Sequence, residues 1–393
     1  MSTQGTNADL AGLQTKALIV GAVGIAAAAA GFVIDADQFY RSYLTGYLYW
    51  LAPTLGCLGW TMIYHLTAGS WGVPARRIWE SGGKTMPLMG LLVIPVVLGM
   101  QTLFPWARPE AVDDVIIQAK TAYLNQPFFF VRVAFYIVLW SAIGFLLSRW
   151  SLQQDAEGPQ PAIRKLRFLS GAGLVLMALS LTFFSVDFVM SLDPHWFSTI
   201  FGFLFAVSDL LTAMAFTVLA VRFLEKTDSL RKLVNVNTYH DYGNLLLAFI
   251  MLWTYMNLSQ FLIIWSGNTQ EEAPWYLQRM NDGWLVISQA LIVFHFALPL
   301  LFLLTRWTKR VPVRLAFVAV WILLMRYVDL YWLTQPSMSH GAGVHLHWMD
   351  LAVLIGIGGL WVGVFAMHLK DKPLLASNDP RLAEVLEIAG GHH

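Results

Sequence analysis

The residues whose type and position point most directly to chemistry are ionisable side chains inside long apolar runs. Asp187 and Asp209 lie in two such runs, which meet at the segment DPHW at 193–196. Asp209 falls about twelve residues into its run, or about 18 Å along a helix, which would place it near the middle of a bilayer. An aspartate there costs about 2.5–3.5 kcal/mol to insert, so it normally faces a protein interior or water. Proton transfer is one explanation, and a polar packing contact between helices is the other.

Further ionisable residues extend this set into a candidate proton path. His295 falls at a depth similar to that of Asp209, and both can gain or lose a proton when burial shifts the pKa. Arg326 and Asp329 are three residues apart in one run and can pair on a helix. The candidates for a proton path are therefore Asp209, His295, Asp187, Asp329 and Arg326. For the two arginines inside apolar runs, Arg132 and Arg326, a structural ion pair is the preferred interpretation.

The chain offers little to hold a cofactor of its own. Its single cysteine, Cys57, excludes disulfides, thiolate iron–sulfur clusters and covalent haem attachment. Only His295 among the histidines lies deep in an apolar run, so a pair of haem ligands at one depth is not expected. The loop HGAGVHLHWMD at 340–350 has the composition of a metal site but lacks a second pair of ligands, and no metal site is predicted.

Composition identifies the elements that must position these side chains. The 393 residues are 57% hydrophobic and 12% charged, with a mean hydropathy of +0.58, which indicates an all-α integral membrane protein. The net charge of +1 gives no reason to expect a nucleic-acid partner. We predict about ten spans in a single polytopic domain covering 1–393, at 16–34, 43–64, 86–105, 127–148, 166–190, 197–221, 242–265, 284–304, 312–333 and 349–369.

The distribution of Lys and Arg predicts the orientation of these spans. Nineteen lie in loops on the side of the amino terminus, four lie in the opposite loops, and two lie inside spans. By the positive-inside rule, both termini are expected in the cytoplasm, with 370–393 as a cytoplasmic tail. The connection at 65–88 looks amphipathic, with Arg76, Arg77 and Glu80 expected to face water from a helix in the headgroup layer.

A weak internal repeat suggests how the spans are grouped. LLSRWS at 146–151 returns as LLTRWT at 303–308, an offset of four intervening spans. Such an offset preserves orientation, so the repeat would be parallel. It predicts one four-helix bundle over 39–190 (spans 2–5) and a second over 197–333 (spans 6–9), flanked by spans 1 and 10.

Several stretches between about 40 and 370 together resemble one family. They are HLTAGSWGVPARRIWE at 65, QPFFFVRVAFYIVLW at 126, SVDFVMSLDPHWFSTIFG at 185, YHDYGNLLLAFIMLWTYMNLSQFLIIWSGN at 239 and PWYLQRMNDGW at 274. This set resembles the F subunit of bacterial alternative complex III, a polysulfide-reductase-type membrane subunit. The sister C subunit of the same complex shares much of the pattern.

The resemblance implies a membrane subunit of a quinol to cytochrome c oxidoreductase, or of one serving another periplasmic acceptor, in the bacterial cytoplasmic membrane. Its expected partners are the sister C subunit, periplasmic multihaem cytochrome subunits, an iron–sulfur subunit, small membrane subunits and lipids. Haem and iron–sulfur centres would then sit in partner subunits, and quinol or menaquinol would be the ligand. Quinol oxidation requires a base near the ring oxygen, and the candidates for a quinol site are Asp187, His195 and Arg132.

Two other functions remain open at this point. The chain could be a structural anchor of the same complex, in which case its buried ionisable groups only pack. It could also be a secondary transporter, although Pro95 and Pro299 do not fall in corresponding spans as paired helix breaks would.

Overall fold

Helices form all the regular structure in the described residues, which are 3–159, 162–339, 343–370 and 372–390 of a computed structural model. In chain order the helices are α1 Thr3–Ile34, α2 Ala36–Thr67, α3 Arg76–Gly83, α4 Met86–Leu92, α5 Ile94–Leu98, α6 Met100–Leu103, α7 Val115–Ala119, α8 Gln126–Glu157, α9 Ala162–Phe188, α10 Phe201–Leu224, α11 Asp228–Arg231, α12 Val236–Gly267, α13 Ala273–Gln278, α14 Trp284–Ala290, α15 Leu298–Leu304, α16 Arg306–Lys309, α17 Pro312–Met338, α18 Trp348–Lys370 and α19 Leu382–Gly390. A π-helical segment, Leu291–Ala297, joins α14 to α15.

Eight stretches of the described residues are long and apolar enough to cross a membrane. They are Asn7–Ile34, Arg76–Leu98, Gln126–Glu157, Ala162–Leu192, Phe201–Leu224, Val236–Gly267, Trp284–Leu304 and Trp348–Lys370. The expected all-helical class is confirmed, and these lengths and compositions are those of a multi-pass membrane protein. Two further helices, α2 with 32 residues and α17 with 27, are as long but are not among these eight stretches.

The polarity of α2 follows from its position in the fold. Twenty-two of its residues are buried, and it contacts α3, α9, α10, α17 and α18. Its hydroxyl groups find partners on those neighbours: Ser42 donates to Asp350 at 2.6 Å, and Thr45 lies 2.9 Å from Thr334. A helix enclosed by protein needs polar complementarity more than lipid solubility, which explains its low hydropathy.

Glycine allows the closest helix crossings. A Cβ atom on Gly56 of α2 would overlap the backbone carbonyl of Asp209 on α10, so this crossing depends on the missing side chain. Gly24 of α1 meets Gly356 of α18 in the same backbone-to-backbone manner. Small residues at such contacts are the usual means by which membrane helices pack tightly.

The remaining contacts divide most of the long helices into two neighbourhoods. We call α2–α5, α8 and α9 the first helix set, and α10, α12, α14–α15 and α17 the second helix set; each makes extensive contacts within itself. The sets meet where α10 packs on α2 and α9 and where α17 packs on α2. α1 packs along α18, and both contact α2.

The expectation of a water-facing helix at 65–88 is wrong. Arg76, Arg77 and Glu80 are only 1–3% exposed. Arg76 pairs with Glu80 at 3.1 Å and with Asp379 of the carboxyl-terminal segment at 2.6 Å, while Arg77 pairs with Glu80 at 2.6 Å. Ser151 of α8 donates to Glu80 as well. Partners supplied by α8 and by the distant tail satisfy charges that spacing alone would assign to solvent.

Candidate functional site

Four ionisable side chains meet inside the second helix set. α10 contributes Asp209, the π-helical segment contributes His295, and α17 contributes Arg326 and Asp329; all four are at most 2% exposed. We call these four residues the buried polar cluster. They are four of the five candidates for a proton path, so residues more than 110 positions apart in sequence lie at one place in the fold.

Arg326 joins the two carboxylates of the cluster. Its Nη1 atom donates to Oδ2 of Asp329, one turn further along α17. Its Nη2 atom lies 3.9 Å from Oδ1 of Asp209, a distance that gives charge attraction without a hydrogen bond. Nε and Nη2 of the guanidinium and both oxygens of Asp209 have no hydrogen-bond partner in the protein. One arginine therefore faces two aspartates but makes a close bond with only one of them.

His295, in the π-helical segment, is the fourth member of the cluster. Neither ring nitrogen has a hydrogen-bond partner in the protein, and the ring packs edge-on against Trp253 of α12 with centroids 4.4 Å apart. The Trp253 side chain also interacts with the carboxylate of Asp329. His295 and Asp209 both lie within electrostatic range of Arg326, which links the cluster from α10 to the π-helical segment.

The wide turn that carries His295 has a cause in the sequence. Pro299 follows four residues later, and a proline has no N–H to donate to the carbonyl four residues before it. The helix widens here, and the N–H of Leu298 bonds to the carbonyl of Val293, five residues back. Single π turns occur frequently at functional sites. His295 lies within this widened turn.

The fifth proton-path candidate, Asp187, lies elsewhere, in a closed ion pair of the first helix set. Arg132 of α8 donates to both of its oxygens, at 2.9 Å from Nε and 2.8 Å from Nη2, and the Tyr136 hydroxyl donates at 2.8 Å. The Arg132 guanidinium also stacks over the Tyr123 ring at 3.9 Å and donates to the Tyr123 carbonyl. These contacts use most of the hydrogen-bonding capacity of the pair.

His195, the third quinol-site candidate, does not join Arg132 and Asp187. It lies in the connection between α9 and α10, where Nε2 is 2.8 Å from Oδ2 of Asp114. About half of the His195 side chain is exposed. The pKa of the Asp114 carboxyl is lowered, chiefly because the backbone N–H of Ile117 donates to it, with a smaller effect of His195. The structure thus brings two of the three candidates together and places the third in a separate surface pair.

A cavity of about 450 Å³ opens beside the buried polar cluster. It lies between α12, α13, α14 with the π-helical segment, and α17, and we call it the α12–α17 cavity. Its lining comprises Trp253, Thr254, Asn257, Leu258, Phe261, Tyr276, Arg279, Met280, Leu285, Ser288, Gln289, Leu291, Ile292, Phe296, Asp329 and Trp332. Asp329 is the member of the cluster that reaches this lining, so it connects the cavity with the cluster.

The described residues contain no cluster of metal-binding side chains. Among them, no three His, Cys, Asp or Glu side chains are grouped as a metal ion requires. His340 of the histidine-rich loop lies outside the described residues. His345 and His347 stack with ring centroids 5.9 Å apart, and Asp350 is engaged by Ser42 and by the backbone N–H of His347.

Comparison with known proteins leaves the family unassigned. No protein-family model matches the chain, and no curated protein matches it. The resemblance drawn from the sequence therefore stays a prediction.

Sequence reasoning missed two parts of the site. Trp253 was indistinguishable from the other tryptophans of an apolar helix, although it contacts both His295 and Asp329. The α12–α17 cavity was also unforeseen, because it depends on how α13 folds back between α12 and α17. Pro299 four residues after His295 was the one available signal for the wide turn.

Proposed function

We propose that this chain is a membrane subunit of a quinol-oxidising electron-transfer complex of the alternative complex III type, and that its second helix set carries a proton path. Ten spans, counting α2 and α17, would form two four-helix bundles with α1 and α18 at their flank. The contacts within each helix set support this grouping, and α10 joins the two sets by packing also on α2 and α9. The family resemblance supports the type of complex.

One observation carries the proton path. Asp209, His295 and Arg326 together present six buried polar atoms that have no hydrogen-bond partner in the protein. Leaving such an atom unsatisfied costs about 1–3 kcal/mol, more for a charged group, and buried polar groups are therefore almost always bonded to protein or to ordered water. Water among these side chains would satisfy them and would also conduct protons.

The residues have distinct roles in such a path. Asp209 and His295 are the groups that can accept and release a proton, whereas Arg326 stays charged. Its close bond to Asp329 holds the guanidinium in place, and its positive charge attracts the Asp209 carboxylate from 3.9 Å. A proton arriving at Asp209 would weaken that attraction, so proton occupancy and the position of Arg326 are coupled.

The energy for directed transfer must come from partner subunits. Moving one charge across a membrane costs about 2.3 kcal/mol per 100 mV. In this proposal the haem and iron–sulfur centres lie in the periplasmic partner subunits, quinol or menaquinol supplies the electrons, and a sister C subunit lies beside this chain. The complex would sit in the bacterial cytoplasmic membrane with both termini of this chain in the cytoplasm.

The test uses the purified complex reconstituted in vesicles. We expect Asp209→Asn and His295→Ala to lower proton release per electron while leaving the complex assembled, because each removes a titratable group from the path. Quinol-driven electron transfer and proton release are measured together, and Glu271→Gln, at an exposed position, is the matched control.

The outcome separates the proton path from the two alternative functions, a structural anchor and a secondary transporter. Wild-type proton release in both variants would remove these residues from the mechanism and leave the structural anchor. In that case the complex would still be expected to fall apart when this chain is deleted. Uptake of a solute by vesicles containing this chain alone would instead support a secondary transporter.

A further inference from the structure

We propose that the α12–α17 cavity binds the ring of a membrane-soluble hydroquinone, with Asp329 accepting a hydrogen bond from a ring hydroxyl. This inference deepens the proposed function and rests on it for the identity of the ligand. It places the ring in the second helix set. The sequence instead predicted a quinol site at Arg132 and Asp187, in the first helix set.

The position of the cavity fits a ligand that arrives through lipid. Leu258, Leu285 and Ile292 line it and are 53%, 44% and 63% exposed on the outer surface of the helices. Apolar side chains exposed on membrane-spanning helices contact lipid or a neighbouring subunit. A ligand with a long apolar tail can therefore enter sideways and leave its tail in the hydrocarbon region.

The walls of the cavity suit a flat ring. Five aromatic side chains line it, from α12, α13, the π-helical segment and α17: Trp253, Phe261, Tyr276, Phe296 and Trp332. Aromatic rings pack well in offset or edge-on arrangements. The volume of about 450 Å³ lies within the range typical of small-molecule sites, and it leaves room for the first part of a tail.

The polar side chains that line the cavity favour a ligand that donates a hydrogen bond. Asp329 is 2% exposed and bonds to Arg326 through Oδ2. Its carboxylate accepts hydrogen bonds, so it favours a ring hydroxyl. The Arg279 guanidinium also lines the cavity, but it already donates to the backbone carbonyls of Trp275, Trp332 and Leu333. The Asn257 side chain donates to the carbonyl of Trp253, which leaves its oxygen as a second acceptor toward the cavity.

The alternative position offers less to a ligand. Asp187 is already bonded through both oxygens to Arg132 and to Tyr136. A ring hydroxyl would have to displace one of these bonds to reach the carboxylate. Asp329, in contrast, already lines an open cavity and adjoins the cluster that would accept a proton.

Binding is measured directly, without turnover. The probe is heptyl-hydroxyquinoline N-oxide, a fluorescent quinol analogue, titrated against the purified complex in detergent. We expect Ile292→Trp, which fills the cavity, to raise the Kd at least about tenfold, or about 1.4 kcal/mol. The matched control is Ile263→Trp, on the exposed face of α12 at 69% exposure and outside the cavity lining, which should change the Kd less than about twofold.

A second pair of variants separates this proposal from the proton path. Asp329→Asn should also weaken the probe, because it loses a charge-assisted hydrogen bond. Asp209→Asn should leave the Kd unchanged, since Asp209 does not line the cavity. Normal binding with lost proton release in Asp209→Asn supports both proposals, whereas normal binding with normal proton release overturns the proton path alone.

A measurement on the wild-type complex guards against variants that fail to fold. An azido-substituted quinone is photolysed in the complex and the labelled peptides are sequenced. Labelling within 253–261 and 285–296 supports the cavity. Labelling confined to 123–136 and 186–197, labelling confined to a partner subunit, or equal probe affinity in Ile292→Trp and Ile263→Trp overturns it.

Discussion

Asp187→Asn should destabilise the protein strongly, because the Arg132–Asp187 pair holds α8 against α9. In the native protein the carboxylate accepts two bonds from the guanidinium, at 2.8 and 2.9 Å, and a third from Tyr136 at 2.8 Å. Both side chains are buried, at 8% and 0% exposure. Replacing the carboxylate leaves a buried guanidinium without its counter-charge.

The expected magnitude follows from these contacts. Removing one partner of a buried ion pair costs about 3–5 kcal/mol. Asparagine retains one acceptor oxygen, so we expect a loss of about 3 kcal/mol, at the lower end of that range. Replacing both partners with apolar residues of similar size, Arg132→Met with Asp187→Leu, should recover most of the loss, since no unpaired charge remains.

The assay is unfolding of the purified protein in mild detergent on addition of sodium dodecyl sulfate, followed by circular dichroism. Glu271→Gln, at an exposed position, should change the free energy of unfolding by less than about 0.5 kcal/mol. If Asp187→Asn changes that free energy by less than about 1 kcal/mol but abolishes quinol-dependent activity, the reasoning is refuted. Asp187 would then act on the ligand, as the sequence-based candidate site required.

Three further changes test other parts of the structure. Asp379→Ala should release the carboxyl-terminal segment from the buried arginine of α3 and speed trypsin cleavage there, whereas Glu384→Gln, in an exposed pair, should not. Gly56→Val should separate α2 from α10 and lower the free energy of unfolding by more than about 2 kcal/mol; Gly12→Ala, which meets no atom within 4 Å, should leave it nearly unchanged. Burial lowers the pKa of Lys372 from 10.5 to about 8, so the unfolded chain binds more protons between these values and stability should rise with pH across that window. Lys372→Met should remove that rise in unfolding measurements, and an unchanged pH dependence would contradict the assignment.

The long helices themselves were largely predictable from the sequence. Apolar runs of about twenty residues are a local property, and nine of the ten predicted spans fall mainly within a single helix or an uninterrupted succession of helical segments. The span at 86–105 is the exception, because Pro95, Gly99 and Pro105 break it into short helices. Proline and glycine act on the backbone within one turn, so such breaks are also readable locally.

The sequence also identified which ionisable residues are buried in the second helix set. Asp209, His295, Arg326 and Asp329 all lie in apolar runs, and all four are buried. The bond between Arg326 and Asp329 followed from their spacing of three on one helix. Each of these inferences needs only the residues within one or two turns.

Only the tertiary structure decided which charged side chains pair with each other. Arg326 faces Asp209 as well as Asp329, Asp187 pairs with Arg132 apart from the buried polar cluster, and Arg76 pairs with Asp379 from the tail. Helical periodicity determines the face of a helix on which a side chain lies, but not the helix that packs against that face. That choice depends on side-chain volumes at every crossing, such as the missing Cβ atom of Gly56, and those volumes act together only in the folded chain.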